Sequence, residues 1–191
     1  GPGAGTGKPG TLTEDEHTAR AVAFEETARD FDAEQLVATT EVAGARYLTF
    51  VPKHAFDFCL WPTRVTDFHT RRDFVGEVAE ACRANDLPLF IYMNLNAAGY
   101  VELSERGFAD AEQAMAAQHA TLVSWLKELV AYQPAGIWFD AWPFARWRAE
   151  KVGLDARELF DFEQLTRPMR QADQTVLVLN KERLEPWVHI L

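Results

Sequence analysis

The chain has 191 residues, 48% of them hydrophobic, so it can bury a substantial core, and its length fits one domain or part of a larger one. With 29 acidic against 19 basic residues the formal charge is -10, which argues against nucleic acid or an anionic membrane surface as the main partner. No run approaches ~18 uninterrupted apolar residues, and no basic start followed by an apolar stretch marks a leader, so nothing reads as a membrane span and the compartment stays open.

The opening "GPGAGTGKPG" looks superficially like a phosphate loop, but Pro2 and Pro9 stand where that loop needs Gly and Ser or Thr, and no strand precedes it. Residues 1–13 read as a flexible Gly/Pro-rich tail, and residues 14–191 as one domain. His17 falls in a polar stretch of helical character. "AEQLVATTEVA" then carries start and stop signals: Asp32 as N-cap, Gln35 three residues later, and Gly44 just past the end.

Four apolar, β-branched or aromatic runs follow, "RYLTFV" at 46–51, "LPLFIYMN" at 87–94, "GIWFD" at 136–140 and "TVLVLN" at 175–180, each nearly continuous in apolar character as a buried strand is. Between the first two, "RRDFVGEVAEACRAND" sets Phe74, Val78 and Ala81 on one helical face and stops near Asn85. Between the second and third, residues 109–132 align Met115, Leu122, Leu126, Leu129 and Val130 in one stripe, the width that packs on a sheet. A last helical pattern runs from near Asp155 to 171, with Pro168 marking its end or a kink. The roughly 40-residue spacing is that of a strand, crossover helix and loops, so the class is α/β with a parallel sheet. Periodicity leaves an open sheet and a barrel as alternatives. Cys59 and Cys82 lie in different elements without metal-type spacing and read as thiols in or near the core.

In either architecture ligands meet the carboxyl ends of the strands, and there the polar residues collect. They are Lys53, His54 and Asp57 after the first run, Tyr92, Asn94 and Asn96 at the second, Asp140 at the third, and Asn180, Lys181 and Glu182 at the fourth. Asp140 stands between Phe139 and Ala141, with Trp138 and Trp142 beyond. Such a carboxylate is often only a turn former or helix cap, but on this rim it reads as catalytic or ligand-binding. His54, Asp57 and Asp140 also suit a metal, a weaker alternative; no metal or cofactor is expected.

"FDAEQLVATTEVAGARYLTFVPKHAFDFCLWPT" resembles the family 29 glycoside hydrolases, the α-L-fucosidases, whose pattern runs FDA, a helix, AGAKY, a strand, then KHHDGFCLWPS. "RDFVGEVAEACRANDLPLFIYMN" resembles the family's R-D-x-V-G-E helix and next strand, and "GIWFDAW" its G-I-W-F-D-G nucleophile strand, so the likeness spans roughly residues 24–180. The resemblance implies a (β/α)8 barrel of TIM type, here incomplete at about four βα units. It also implies retaining hydrolysis of fucosylated oligosaccharides or glycoconjugates with Asp140 as nucleophile. His54 then matches a sugar-hydroxyl contact, Trp138 a pocket-lining Trp, and Tyr92, approximately, a tyrosine region after the third barrel strand. The residue types suit this chemistry: one carboxylate attacks the anomeric carbon, and a second carboxyl group about 5 Å away exchanges the proton. Trp61, Trp138 and Trp142 are candidate aromatic walls for a deoxy sugar, or core residues.

The pattern is also broken. Ala55 stands for the family's second His, Phe56-Asp57 for its D-G, and nothing before residue 24 resembles its first strand. Glu182 occupies the place of an Arg after the fifth strand; Glu182 or Glu185 is the candidate acid/base, with Glu182 the primary assignment. The alternative is a non-catalytic carbohydrate-binding remnant or inactive fragment. Four strands would leave an apolar sheet face uncovered, so a homo-oligomer is expected as a way to bury it.

Overall fold

The computed structural model describes residues 14–54, 57–95, 111–151, 153, 155 and 161–180. The tail at 1–13, Asn96, Lys181, Glu182 and Glu185 lie outside the described residues. Helix α1 (Glu14–Thr27) and helix α2 (Ala33–Val42) precede strand β1 (Leu48–Phe50). Helix α3 (Phe74–Ala84), strand β2 (Leu89–Asn94), helix α4 (Ala111–Leu129) with a terminal 3-10 turn (Val130–Tyr132), and strand β3 (Gly136–Asp140) follow. Helix α5 (Trp142–Lys151), helix α6 (Phe162–Ala172) and strand β4 (Leu177–Asn180) complete the order. The strands form one parallel sheet in the order β1-β2-β3-β4, the topology of successive βα units.

The capping signals for α2 act as read, and α3 ends at Ala84 beside Asn85 as expected; the N-cap of α3 is a finding of the structure. The Asp32 carboxylate accepts from the Gln35 N–H at 2.9 Å and Gly44 leaves the helix in the left-handed conformation at φ 74°, while Asp73 caps α3 by accepting from the Gly76 N–H at 2.8 Å. One boundary needs correction: helix α6 begins at Phe162, capped by Asp161, rather than near Asp155. Of the two roles read for Pro168, an end is excluded, because it lies inside the helix. Leu165 and Met169, at 0% and 1% exposure, anchor α6 on α4, and that burial offsets the hydrogen bond Pro168 cannot donate. Helix α5 follows β3 directly, where no element was expected from the sequence; Pro143 at its second position suits a first helical turn.

Period-two alternation sorts the strand side chains onto two faces. Ile91, Met93, Ile137 and Phe139, all at 0% exposure, point to the helical side, where Met115, Leu122, Leu126 and Leu129 of α4 complete the core. The other face carries Phe90, Tyr92 and Asn94 of β2, Gly136, Trp138 and Asp140 of β3, and Leu177 and Leu179 of β4, aligned by the register. At its amino end the Phe90 ring lies over Gly136, where an added Cβ would sit 2.2 Å from Cε1 of Phe90 and 2.9 Å from the Leu177 carbonyl. The same face is open beside these residues: Tyr47, Val51, Leu177 and Leu179 are all exposed, Leu177 at 56%. No helix among the described residues is long and apolar enough to cross a membrane.

Gly136→Ala is expected to destabilise the fold by about 1–3 kcal/mol, the usual cost of overpacking, because a backbone oxygen as well as a ring must move; the urea midpoint measures it. The exposed sheet face carries a second prediction. The isolated chain should self-associate in sedimentation experiments, and Leu177→Lys with Leu179→Lys should shift it to monomer. A wild-type monomer with a cooperative melt above ~65 °C, the upper end for mesophile domains, would contradict this.

Candidate functional site

Parallel pairing of β2 with β3 sets Tyr92 beside Trp138 and Asn94 beside Asp140, and the Leu95 N–H extends the ladder to the Asp140 carbonyl at 2.9 Å. Asp140 is only 8% exposed, so its charge needs donors. The Tyr92 hydroxyl donates to its Oδ2, and the Ala141 N–H donates to its Oδ1 at 2.7 Å. The Asn94 amide, 5% exposed, donates to the Tyr92 hydroxyl at 3.4 Å. Asn94 was placed on the rim by sequence but given no role; the register makes it part of the polar row.

His54, exposed in the loop after β1, lays its ring parallel to Tyr92, with centroids 5.9 Å apart and planes 4° apart. The structure therefore brings His54, Tyr92 and Asp140 together and sets half-buried Trp138 beside Tyr92. Glu182 lies outside the described residues, as does the side chain of Trp142. His54, Asp57 and Asp140 do not make a metal set: no group of three or more His, Cys, Asp or Glu able to hold a metal occurs among the described residues.

Trp61 is a correction. At 2% exposure it has no face to offer a sugar; it packs edge-on against Trp125 at 6.3 Å, and its indole N–H donates to Glu128 at 2.9 Å. Glu128, on α4, also accepts from the Thr63 hydroxyl at 2.5 Å and the Arg64 N–H at 2.9 Å, so it ties the loop after β1 to the helical layer. Burial pushes its carboxyl up, but the three donors outweigh that and hold it below the usual range. No local pattern marks this contact, because its partners lie 64 to 67 residues apart.

The same loop holds a buried ion pair. Lys53 Nζ lies 3.0 Å from Asp57 Oδ1, with side-chain exposures of 0% and 10%, and 5.0 Å from the centre of the Trp125 ring. Burial lowers the Lys53 pKa while Asp57 opposes that shift; burial likewise raises the Cys59 thiol. Asp57 at φ 59° and Ala141 at φ 69° are both left-handed. They occupy the two places where the motif in question carries Gly, so the chain retains a glycine-type backbone without glycine. The strain is of order 1–2 kcal/mol for Ala141 and less for Asp57, whose residue type tolerates that region.

A concavity of about 660 Å³ opens at the amino ends of the strands between Tyr47, Arg83, Phe90, Gln133 and Leu177. It lies away from Asp140 and gathers no comparable set of polar groups around a buried carboxylate. The candidate site is the carboxyl-end rim.

A family model described as alpha-L-fucosidase matches residues 16–186. The chain is 34% identical over 93 residues to a putative alpha-L-fucosidase of Caenorhabditis elegans, covering 46% of this chain and 18% of that protein. It is 28% identical over 124 residues to the tissue alpha-L-fucosidase of Rattus norvegicus, covering 60% and 26% respectively. It therefore spans about a fifth to a quarter of these curated relatives. Among solved structures, a bacterial fucosidase bound to a monovalent iminocyclitol inhibitor superimposes on 78% of the chain and 34% of its own length, with a TM-score of 0.61 and 19% identity.

Removing the Tyr92 hydroxyl leaves Asp140 one donor short. Tyr92→Phe is expected to cost about 1.5–3 kcal/mol, the range for a hydrogen bond to a charged group, with the circular dichroism of the fold unchanged; chemical denaturation of the two proteins side by side measures it.

Proposed function

Because the chain belongs to the alpha-L-fucosidase family, we propose that it carries the nucleophile side of a retaining fucosidase site, on a sheet that forms part of a (β/α)8 barrel. The single observation that carries this reading is the Asp140 carboxylate at the carboxyl end of β3, held by the Tyr92 hydroxyl and the Ala141 N–H beside the His54 ring. The Tyr92 and Ala141 donors and a buried setting fix the carboxylate's direction, which is what attack on an anomeric carbon requires.

In this reading Asp140 displaces the aglycone of an α-L-fucoside and forms a glycosyl ester, while an acid protonates the departing oxygen. Water, deprotonated by the same second carboxylate, then cleaves the ester with net retention. Glu182 or Glu185 is the proposed second carboxylate, on sequence grounds alone. His54 meets a sugar hydroxyl, and Trp138 with the Tyr92 ring offers apolar surface to the face and methyl group of the deoxy sugar. The substrate is a fucosylated oligosaccharide or glycoconjugate.

Asp140→Ala should lower turnover of an aryl α-L-fucoside by more than about a thousandfold, as loss of a covalent nucleophile does, with partial recovery in azide as the small anion replaces the carboxylate. Undiminished turnover by Asp140→Ala without azide would reject the assignment. Ala55, in place of a sugar-contacting His, and Glu182, in place of an Arg, favour the second reading, a binding module without catalysis. Saturable calorimetric binding of fucose with no hydrolysis by the wild type would select it.

A further inference from the structure

Lys53 poses a physical question that the proposed chemistry does not use. Its side chain is wholly buried, yet an apolar residue of similar volume there would avoid the desolvation cost of an ammonium, and replacing buried ion pairs by apolar groups is often neutral or stabilising. The pair is weak support for stability, so its geometry carries the interpretation. The loop after β1 is closed by two backbone bonds, Leu60 N–H to the Pro52 carbonyl at 2.8 Å and, inside it, Asp57 N–H to the His54 carbonyl at 3.1 Å. Lys53 and Asp57 bridge the inner turn from side to side, with Lys53 seated against the buried Trp125 of α4. Asp57 reaches its partner from a left-handed backbone. His54, adjacent to Lys53, is exposed and is set parallel to Tyr92, which in turn donates to Asp140.

We propose that Lys53 is a positioning residue: its ion pair with Asp57 locks the turn so that the His54 imidazole is held stacked on Tyr92, at the orientation in which it meets the sugar. The ammonium acts as an internal strut between α4 and the turn. An exposed imidazole on an unlocked turn would sample several rotamers and lose the entropy of ordering on each binding event. The proposal deepens the fucosidase reading through His54 and rests on it for the sugar contact, but the stack itself can be observed without any substrate.

The test uses the full chain with histidine ring protons assigned through the His54→Gln spectrum. In the wild type, the His54 ring protons should be displaced upfield by the Tyr92 ring, and Tyr92→Leu gives the undisplaced reference. Lys53→Met should keep the helical circular dichroism and a cooperative melt, yet move the His54 protons to the Tyr92→Leu value. On an aryl α-L-fucoside it should raise KM about tenfold, the loss of roughly one ordered hydrogen bond, with kcat changed far less. Asp57→Asn, which tolerates the left-handed turn, should move the His54 protons the same way, and it decides the matter if Lys53→Met fails to fold. Unshifted His54 protons in a folded Lys53 or Asp57 variant, whether or not the melting temperature falls, would overturn the proposal. Absence of fucoside hydrolysis in the wild type would reject the fucosidase reading, while the proton shifts still decide whether Lys53 orders His54.

Discussion

The register of β2 against β3 is the constraint from which the candidate site follows. Pairing Tyr92 with Trp138 and Asn94 with Asp140 places four side chains of the candidate site on one face, and the Leu95–Asp140 backbone bond carries the ladder to the rim. A slip of one residue would turn Asp140 toward the helical layer and bring Phe139, now wholly buried, to the open face. Neither arrangement is tolerable: the carboxylate would lose the Tyr92 hydroxyl, and the core would lose an aromatic side chain. The apolar face and the polar site thus specify the same register, and each protects the other.

The loop after β1 depends on that register in turn, because His54 can stack on Tyr92 only if Tyr92 faces away from the helices. The loop is held from below rather than from above. Glu128 accepts from Trp61, Thr63 and Arg64, while Lys53 pairs with Asp57 over Trp125, so α4 is the floor on which the rim loop stands. Polar groups inside this floor are joined to partners in the loop, which makes the loop's position a property of the packed helix and not of its own propensities. A parallel division of labour operates on the outer side, where Arg72 donates to both oxygens of Glu77 at 2.7 Å and to the carbonyls of Ala28, Arg29 and Phe31 beyond α1, joining the amino-terminal helices to α3.

The two faces of the sheet differ sharply. One is sealed by helices; the other begins with Phe90 over Gly136 and ends with exposed Leu177 and Leu179. Parallel sheets normally have both faces covered, and the nearly continuous apolar character of the strands fits that requirement better than it fits a solvated face. The open face is the one that carries Asp140, so whatever packs against it borders the candidate site as well as setting the stability of the fold.

Much of this was legible in the residues themselves. Buried strands announce themselves by continuous apolar runs, helix α2 by its Asp cap and Gly stop, helix α3 by its apolar face and a stop near Asn85, and the α/β class by the repeat length, because these signals depend on a few neighbouring residues. Asp140, His54, Tyr92 and Trp138 could be singled out as candidates for the same reason: each lies at or near a strand's carboxyl end, in motifs that can be read locally. The start of α6 at Phe162, the existence of α5 and the choice of core for Trp61 were not legible in that way, and the last turns on contacts with α4 far along the chain. Composition and periodicity determine which segments must be buried and which ends are polar. Only the packed structure decides that a Trp in a sugar-like motif belongs to the core, or that a lysine beside a site residue is wholly buried, because burial and pairing are set by what the rest of the chain brings within reach.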